Sequence, residues 1–308
     1  MTSKAVRVGT RGSALAVRQT EIVLATLRAV HPSVTFETVT ITTSGDRDRT
    51  SPIERLGVGT FVREIEEALA RSDIDFAVHS LKDLPSATPA EFRLAALTAR
   101  EDPRDVLVTR GRVKLADLPR GARLGTSSPR RRAQLLAAAP QVTVLPIRGN
   151  VDTRLNKCLV EADSGYDGGV LAAAGVARLG RLSAVAEFLD PRVFTPAVGQ
   201  GILAVETRSG DAATARLVAA VEDPRSRAAA DAERSFLSAM GGGCAVPVTA
   251  YAFFDGPRLT VAGFVSDADG REVVRDEVSG PPREASGLGR RLADALLASG
   301  ARRLVEAS

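Results

Sequence analysis

Tryptophan is absent from this 308-residue chain, and tyrosine, histidine, cysteine and methionine occur only twice each. With so few aromatics, and none interleaved with basic residues, stacking on nucleic-acid bases is poorly supported. Two histidines, His31 and His79, are too few for a zinc cluster. Cys158 and Cys244 make no disulfide framework. One bridge between them stays open, but the expectation is a reduced, cytoplasmic setting. No apolar run approaches the roughly 18 residues of a membrane span. The opening segment Met1–Val6 enters a strand pattern at once, so no signal peptide is expected. Lysine is scarce too: Lys4, Lys82, Lys114 and Lys157 are the only lysines among 41 basic residues.

What is present is a globular composition, 44% hydrophobic, with a net charge of only +4. A chain of this length is expected to form two or three domains. The arginine excess is by default a genomic bias. It gains meaning only where arginines cluster, because the planar guanidinium binds carboxylates and phosphates by two points.

Val6–Gly9, Thr38–Thr43 and Phe76–Ser80 read as strands, with helices over Ser13–Val30 and Phe61–Ala70. This βαβ alternation predicts a largely parallel sheet. Ser44 to Thr60 reads as a polar surface loop. A second α/β pattern follows, with strands at Val106–Thr109, Val142–Pro146 and Gly169–Ala173 and helices starting near Ser128, Val151 and Gly175. Ile202–Thr207 adds a strand, and Arg225–Met240 a helix. Three strands in series, Val248–Phe254, Leu259–Ser266 and Arg271–Val278, and a helix over Glu284–Ser299 predict a small α+β domain with an antiparallel sheet.

Three strand-to-helix turns repeat one chemistry: Thr10-Arg11-Gly12-Ser13, Gly125-Thr126-Ser127-Ser128-Pro129-Arg130-Arg131-Arg132, and Arg148-Gly149-Asn150-Val151-Asp152-Thr153-Arg154. Helix N-termini at the carboxyl ends of strands attract anions. One such turn reads as ordinary N-capping; three with clustered arginines favour a site for a multiply charged anion. Ser80-Leu81-Lys82-Asp83-Leu84-Pro85 is a further strand end. There Asp83 is either a turn former or a carboxylate that holds an ammonium or N–H group and passes a proton to a leaving amine. On an extended backbone Lys82 and Asp83 would point apart. Gly241-Gly242-Gly243-Cys244-Ala245-Val246-Pro247 is either a helix-terminating turn or a loop presenting a reactive or modified thiol.

These segments, with His79-Ser80-Leu81-Lys82-Asp83-Leu84-Pro85, Arg100-Glu101-Asp102-Pro103-Arg104-Asp105, Pro196-Ala197-Val198-Gly199-Gln200-Gly201, Glu233-Arg234 and Gly242-Gly243-Cys244, are collinear over nearly the whole chain. Together they resemble the porphobilinogen deaminases, also called hydroxymethylbilane synthases. The resemblance implies two α/β lobes like those of periplasmic binding proteins, with the active site between them. It also implies a small C-terminal α+β domain with a three-stranded antiparallel sheet. The implied boundaries are 1–99 with 197–217, 104–194, and 222–308. The implied transferase reaction condenses four porphobilinogens head to tail into hydroxymethylbilane, releasing ammonia. Its implied cofactor is a dipyrromethane held by a thioether to Cys244.

By matching position, Arg11, Ser13, Ser80, Lys82, Thr126, Ser127, Ser128, Arg130, Arg131, Arg148, Arg154 and Arg178 should meet pyrrole carboxylates. Gln200, also counted among the cofactor- and substrate-binding residues, should lie near the hinge, on the return to the first domain. Asp83 should hold pyrrole N–H groups and assist loss of ammonia, stabilising an azafulvene-like cation. No metal, nucleic acid or membrane is implied. The chain is expected to act as a cytoplasmic monomer that hands its product to the next enzyme of the pathway. Two stretches depart from the family. Glu54–Phe61 lacks lysine and is shortened, leaving its role unassigned, and the segment from Cys158 reads as surface with an incidental cysteine.

The principal rival is a non-catalytic two-lobed anion-binding protein, which would need neither Asp83 nor a bare Cys244. A nucleic-acid binder is the other, opposed by the small net charge and the missing aromatics.

Overall fold

The computed structural model describes residues 5–44, 62–241 and 246–306. The polar loop read over Ser44–Thr60 lies almost wholly outside the described residues, and so does Cys244.

Strand β1 (Val6–Arg11) leads into helix α1 (Ala14–Val30), then β2 (Phe36–Ile41), α2 (Arg63–Ala70), β3 (Phe76–Ser80) and β4 (Phe92–Leu97). The second stretch runs β5 (Asp105–Thr109), β6 (Arg123–Gly125), α3 (Pro129–Ala138), β7 (Thr143–Leu145), α4 (Val151–Leu159), β8 (Gly168–Ala172), α5 (Ala173–Arg178) and β9 (Glu187–Phe188). Next come β10 (Leu203–Arg208), α6 (Ala212–Val218) and α7 (Pro224–Ala239). The chain ends with β11 (Val248–Asp255), β12 (Arg258–Ser266), β13 (Val273–Gly280), α8 (Ala285–Leu296) and α9 (Arg302–Glu306).

The chain divides into two compact units, Met1–Glu101 with Gly201–Arg227, and Asp102–Gln200 with Ala228–Ser308. In the first, the strand order is β2-β1-β3-β10-β4. β1 is parallel to β2 and β3, whereas β10 is antiparallel to β3 and β4. The expected largely parallel sheet is therefore mixed. Its parallel part comes from βαβ crossovers, and β10 arrives from a distant stretch of chain with no crossover to fix its sense. Side chains alternate along β3: Phe76 and Val78 pack with Val23, Leu24 and Leu27 of α1, while Ala77 packs with Ile65 and Leu69 of α2. Both faces of the sheet are thus buried.

The second unit repeats this plan in the order β7-β6-β8-β5-β9, with β6 parallel to β7 and β8, and β5 antiparallel to β8 and β9. Along β5, Leu107 joins one core with Leu124 and Val170, while Val106 and Val108 join another with Leu155 and Val176. The same unit carries the antiparallel sheet β11-β12-β13. Its apolar face is covered by Phe236 of α7 and by Leu288, Leu292 and Leu296, which recur at four-residue spacing on α8. Gly289 permits the close approach of α8 to α7: a Cβ there would sit 2.1 Å from the Ala232 carbonyl oxygen. The expected fold class, two α/β parts plus an α+β part with a three-stranded antiparallel sheet, is present.

Cys158 corrects the surface reading of its segment. It is 1% exposed, packed with Leu155 and Val106, because it lies one turn after Leu155 on the inward face of α4. Burial pushes its thiol up to about 11, against the opposing pull of Arg154, Arg110 and Lys157.

Candidate active site

Within the first unit, β1 ends at Arg11 and the chain turns into α1. Ser13 has extended backbone angles, and its Oγ accepts the Ala16 amide at 3.2 Å, so it is an N-cap. β3 ends at Ser80, whose Oγ accepts from Gln19 Nε2 of α1 at 2.8 Å. The backbone is not extended beyond that point. Leu81–Asp83 form a single 3₁₀ turn, closed by the Leu84 amide donating to the Leu81 carbonyl at 3.1 Å. Pro85 disfavours further helix at Leu84, and the Leu81 amide is tied to the Ile202 carbonyl at 3.0 Å. Leu81 and Leu84 are buried and anchor the turn, which presents Lys82 and Asp83 to solvent. At three residues per turn the two side chains diverge by about 120°. The extended backbone on which the two were expected to diverge is therefore replaced by a helical turn.

In the second unit the turn after β6 is held from several sides. The Thr126 amide donates to Leu145 O, and Thr126 Oγ1 accepts the Ser128 amide at 3.2 Å. Ser128 caps α3 by accepting the Arg131 amide at 3.4 Å, and Pro129 occupies the first turn. Asn150 caps α4 through the Thr153 amide at 2.9 Å. Gly149 sits at φ +115°, and a Cβ there would meet Thr153 Cγ2 at 2.5 Å. Only glycine fits that entry to the helix. Arg154 Nε donates to the Gly149 carbonyl at 2.8 Å, and Arg148 precedes the turn. Arg178 lies in the last turn of α5 rather than at its N-terminus.

Arg130 and Arg131 are nearly buried, and much of their bonding capacity is turned inward. Arg130 Nη1 donates to Asp105 Oδ2 at 2.8 Å and to Thr195 O at 2.7 Å. Arg131 donates to Asp105 Oδ1 from Nη2 at 2.8 Å and from Nε at 3.2 Å. Burial alone would push the Asp105 carboxyl up, but the two guanidiniums outweigh it and hold the group well below the usual carboxylate range. Burial pushes Arg130 down, Asp105 opposes it, and the neighbouring Arg131 adds to it.

Gln200 belongs with the second unit rather than the return to the first. It is 1% exposed, and its Nε2 donates to Pro103 O at 2.7 Å and Asp105 Oδ1 at 2.9 Å. Asp105 itself received no role from the sequence. An aspartate opening an otherwise apolar strand, Asp105-Val106-Leu107-Val108-Thr109, was the available signal, since buried charges require partners. Glu233 is comparable: fully buried, it accepts the Gly199 amide at 2.7 Å and the Ala252 amide at 2.7 Å, tying the Pro196–Gly201 turn to β11.

Capped helix N-termini with arginines beside them can receive several carboxylates, and the exposed Asp83 can receive N–H groups or exchange a proton. This donor chemistry fits a two-ring pyrrole cofactor bearing acetate and propionate groups. It describes an α/β protein whose strand-to-helix turns suit a polyanionic ligand. The family comparison is more specific. Residues 6–216 match the family described as porphobilinogen deaminase, dipyromethane cofactor binding domain, and residues 228–298 match its C-terminal domain. The chain is 48% identical over 299 residues to the porphobilinogen deaminase of Roseiflexus castenholzii, covering 97% of each chain. It is 45% identical over 308 residues to that of Syntrophotalea carbinolica, covering 100% of this chain and 97% of the relative. The chain belongs to the porphobilinogen deaminase family. Among solved structures, the periplasmic aliphatic sulphonate binding protein SsuA from Escherichia coli is 14% identical, with a TM-score of 0.40 over 78% of this chain and 71% of that one.

Proposed function

We propose that this chain condenses four porphobilinogen molecules head to tail into hydroxymethylbilane, primed by a dipyrromethane joined to Cys244 through a thioether. The observation that carries the reading is the family match over both segments, 6–216 and 228–298, which together take in every residue assigned to the site. When bound, the dipyrromethane would supply the ring carbon to which the first porphobilinogen is joined, and each later unit would be joined to the terminal ring of the growing chain. Every condensation forms one carbon–carbon bond. It breaks the carbon–nitrogen bond of a substrate aminomethyl group and the carbon–hydrogen bond at the ring carbon it joins, and releases ammonia, which carries away that proton. After four rounds water adds to the carbon that joined the first substrate to the dipyrromethane and frees the product with its hydroxymethyl group.

The chain's own residues supply binding and proton control. Ser13, Ser80, Lys82 and Arg11 in the first unit take carboxylates, as do Thr126, Ser127, Ser128, Arg130, Arg131, Arg148, Arg154 and Arg178 in the second. The negative charge accumulated with each added ring calls for this number of donors. Asp83, on its exposed turn, accepts pyrrole N–H bonds and stabilises positive charge as ammonia departs. Gln200 supports Asp105 through its Nε2 hydrogen bond. The 222–308 segment, which has its own sheet and core, forms the third domain and carries the cofactor thiol. The enzyme acts in the cytoplasm as a monomer and passes its product to the next enzyme on linear tetrapyrroles. The buried, protonated Cys158 suits a reducing compartment.

Intact-mass measurement with peptide mapping tests the reading. A two-pyrrole adduct on the Cys244 peptide and none on Cys158 is expected. Full activity with an unmodified Cys244 would overturn it, and a non-catalytic anion-binding protein would carry no adduct.

A further inference from the structure

Asp105 begins β5 with no solvent exposure, yet it is the meeting point of three side chains. Oδ2 receives Arg130 Nη1 at 2.8 Å, and Oδ1 receives Arg131 Nη2 at 2.8 Å, Arg131 Nε at 3.2 Å and Gln200 Nε2 at 2.9 Å. Backbone carbonyls take a second share. Thr195 O accepts the other Arg130 Nη1 bond at 2.7 Å, and Val170 O accepts Arg131 Nη1 at 3.1 Å. The two guanidiniums are therefore fixed at their inner edges. Among the described residues, Arg130 Nε and Nη2, and one proton on each Nη of Arg131, make no hydrogen bond. Both residues retain 7% exposure. Two cations and one anion leave a single positive charge.

We propose that Asp105 is a positioning residue for cofactor assembly. It pins the inner edges of Arg130 and Arg131 so that their outer edges jointly receive one carboxylate of the dipyrromethane, rather than each arginine taking a carboxylate of its own. Without the Asp105 charge, two adjacent buried guanidiniums would repel, and the forks would lose their shared orientation. The inference rests on the proposed function and assigns a role to a residue that does not touch the ligand.

The test uses full-length apo-protein and follows uptake of the two-ring adduct from porphobilinogen by intact mass, at a temperature well below each variant's melting point. Asp105→Asn should slow uptake by at least about tenfold, within the roughly 10²-fold that a 1 Å misplacement of a positioned group can cost. Arg130→Gln should also slow it. The double variant Asp105→Asn/Arg130→Gln restores the single positive charge and so remains foldable if Asp105→Asn alone is not. Its uptake should be no slower than that of the slower single variant, because both act on one unit. Wild-type uptake by folded Asp105→Asn, or losses that multiply in the double variant, would overturn the positioning role while leaving the function intact. Failure of the wild-type apo-protein to acquire any adduct would overturn both.

Discussion

Ser127 and Ile147 exchange two hydrogen bonds: Ser127 Oγ donates to the Ile147 carbonyl at 2.8 Å and accepts from the Ile147 amide at 3.0 Å. One hydroxyl thus fastens the Thr126–Ser128 turn to the Arg148–Asn150 turn, and two proposed carboxylate sites share one support. Ser127→Ala leaves a backbone amide and carbonyl without this partner. The cost should be about 1–3 kcal/mol, read as a lower denaturant midpoint with an unchanged slope. Affinity at both turns should fall together in Ser127→Ala, whereas Ser128→Ala, which loses the α3 cap and one proposed carboxylate donor, should weaken binding at its own turn alone.

Asp83 lies on an exposed 3₁₀ turn whose anchors, Leu81 and Leu84, are buried. Its carboxylate can be changed without disturbing packing. Asp83→Asn should lower kcat by at least about 10²-fold, the scale for a positioned acid–base group. Melting temperature and cofactor content should match wild type. Near-normal kcat, or a loss confined to KM, would remove Asp83 from the chemistry.

Much of this arrangement is legible in sequence, and the failures are physical rather than random. The helix starts at Ser13, Ser128 and Asn150 follow from local capping chemistry, and the structure has all three caps. β4, Phe-Arg-Leu-Ala-Ala-Leu, has no β-branched residue and no strict alternation to mark it in the sequence, so only its pairing with β10 makes it a strand. The antiparallel sense of β10 is likewise a tertiary property. Arg130 and Arg131 looked like free forks because their partner, Asp105, lies 25 and 26 residues away. The polar neighbours of Cys158 suggest surface, whereas the helical period puts it beside Leu155.

Acid should expose the Asp105 network. The folded-state carboxyl is held below its unfolded value, so its contribution is present above the unfolded pKa and is lost as pH falls through the folded one. Wild-type stability measured by denaturant titration should therefore decline with acid from the ordinary carboxylate range downward. Asp105→Asn should be less stable at neutral pH by about 3–5 kcal/mol, as for a broken buried ion pair. Its acid slope should be shallower. An equal slope in both proteins would mean that Asp105 is not the linked group.

Cys158 gives the opposite sign. Its folded thiol is raised to about 11, so the neutral form is favoured, and stability is present below the unfolded pKa and lost as pH rises through the folded one. At pH 8 the native protein should resist alkylation at Cys158 and become reactive there on unfolding. Cys158→Ala should retain cofactor loading and cost about 1 kcal/mol, a common value for single substitutions. Rapid native labelling of Cys158 would contradict its burial.

The arginines should separate by stage of assembly. Arg130 and Arg131 lie in the first turn of α3, just after its Ser128 cap, and share Asp105, so they are assigned to the cofactor. Arg130→Leu or Arg131→Leu should give mostly apo-protein, verified as folded by circular dichroism. Arg11, at the end of β1, and Arg154, bonded to the Gly149 carbonyl in the first turns of α4, are assigned to incoming or growing chain. Arg11→Leu or Arg154→Leu should keep the adduct but stall elongation. Losing one arginine–carboxylate pair costs on the order of 2–5 kcal/mol when the anion is left desolvated. That arrests the step whose carboxylate has lost its partner and leaves earlier steps intact. Native mass spectrometry with limiting porphobilinogen would count the rings bound to each variant. Identical distributions in all four would reject the staged assignment, whereas apo-protein for Arg130 and Arg131 and trapped intermediates for Arg11 and Arg154 would support it.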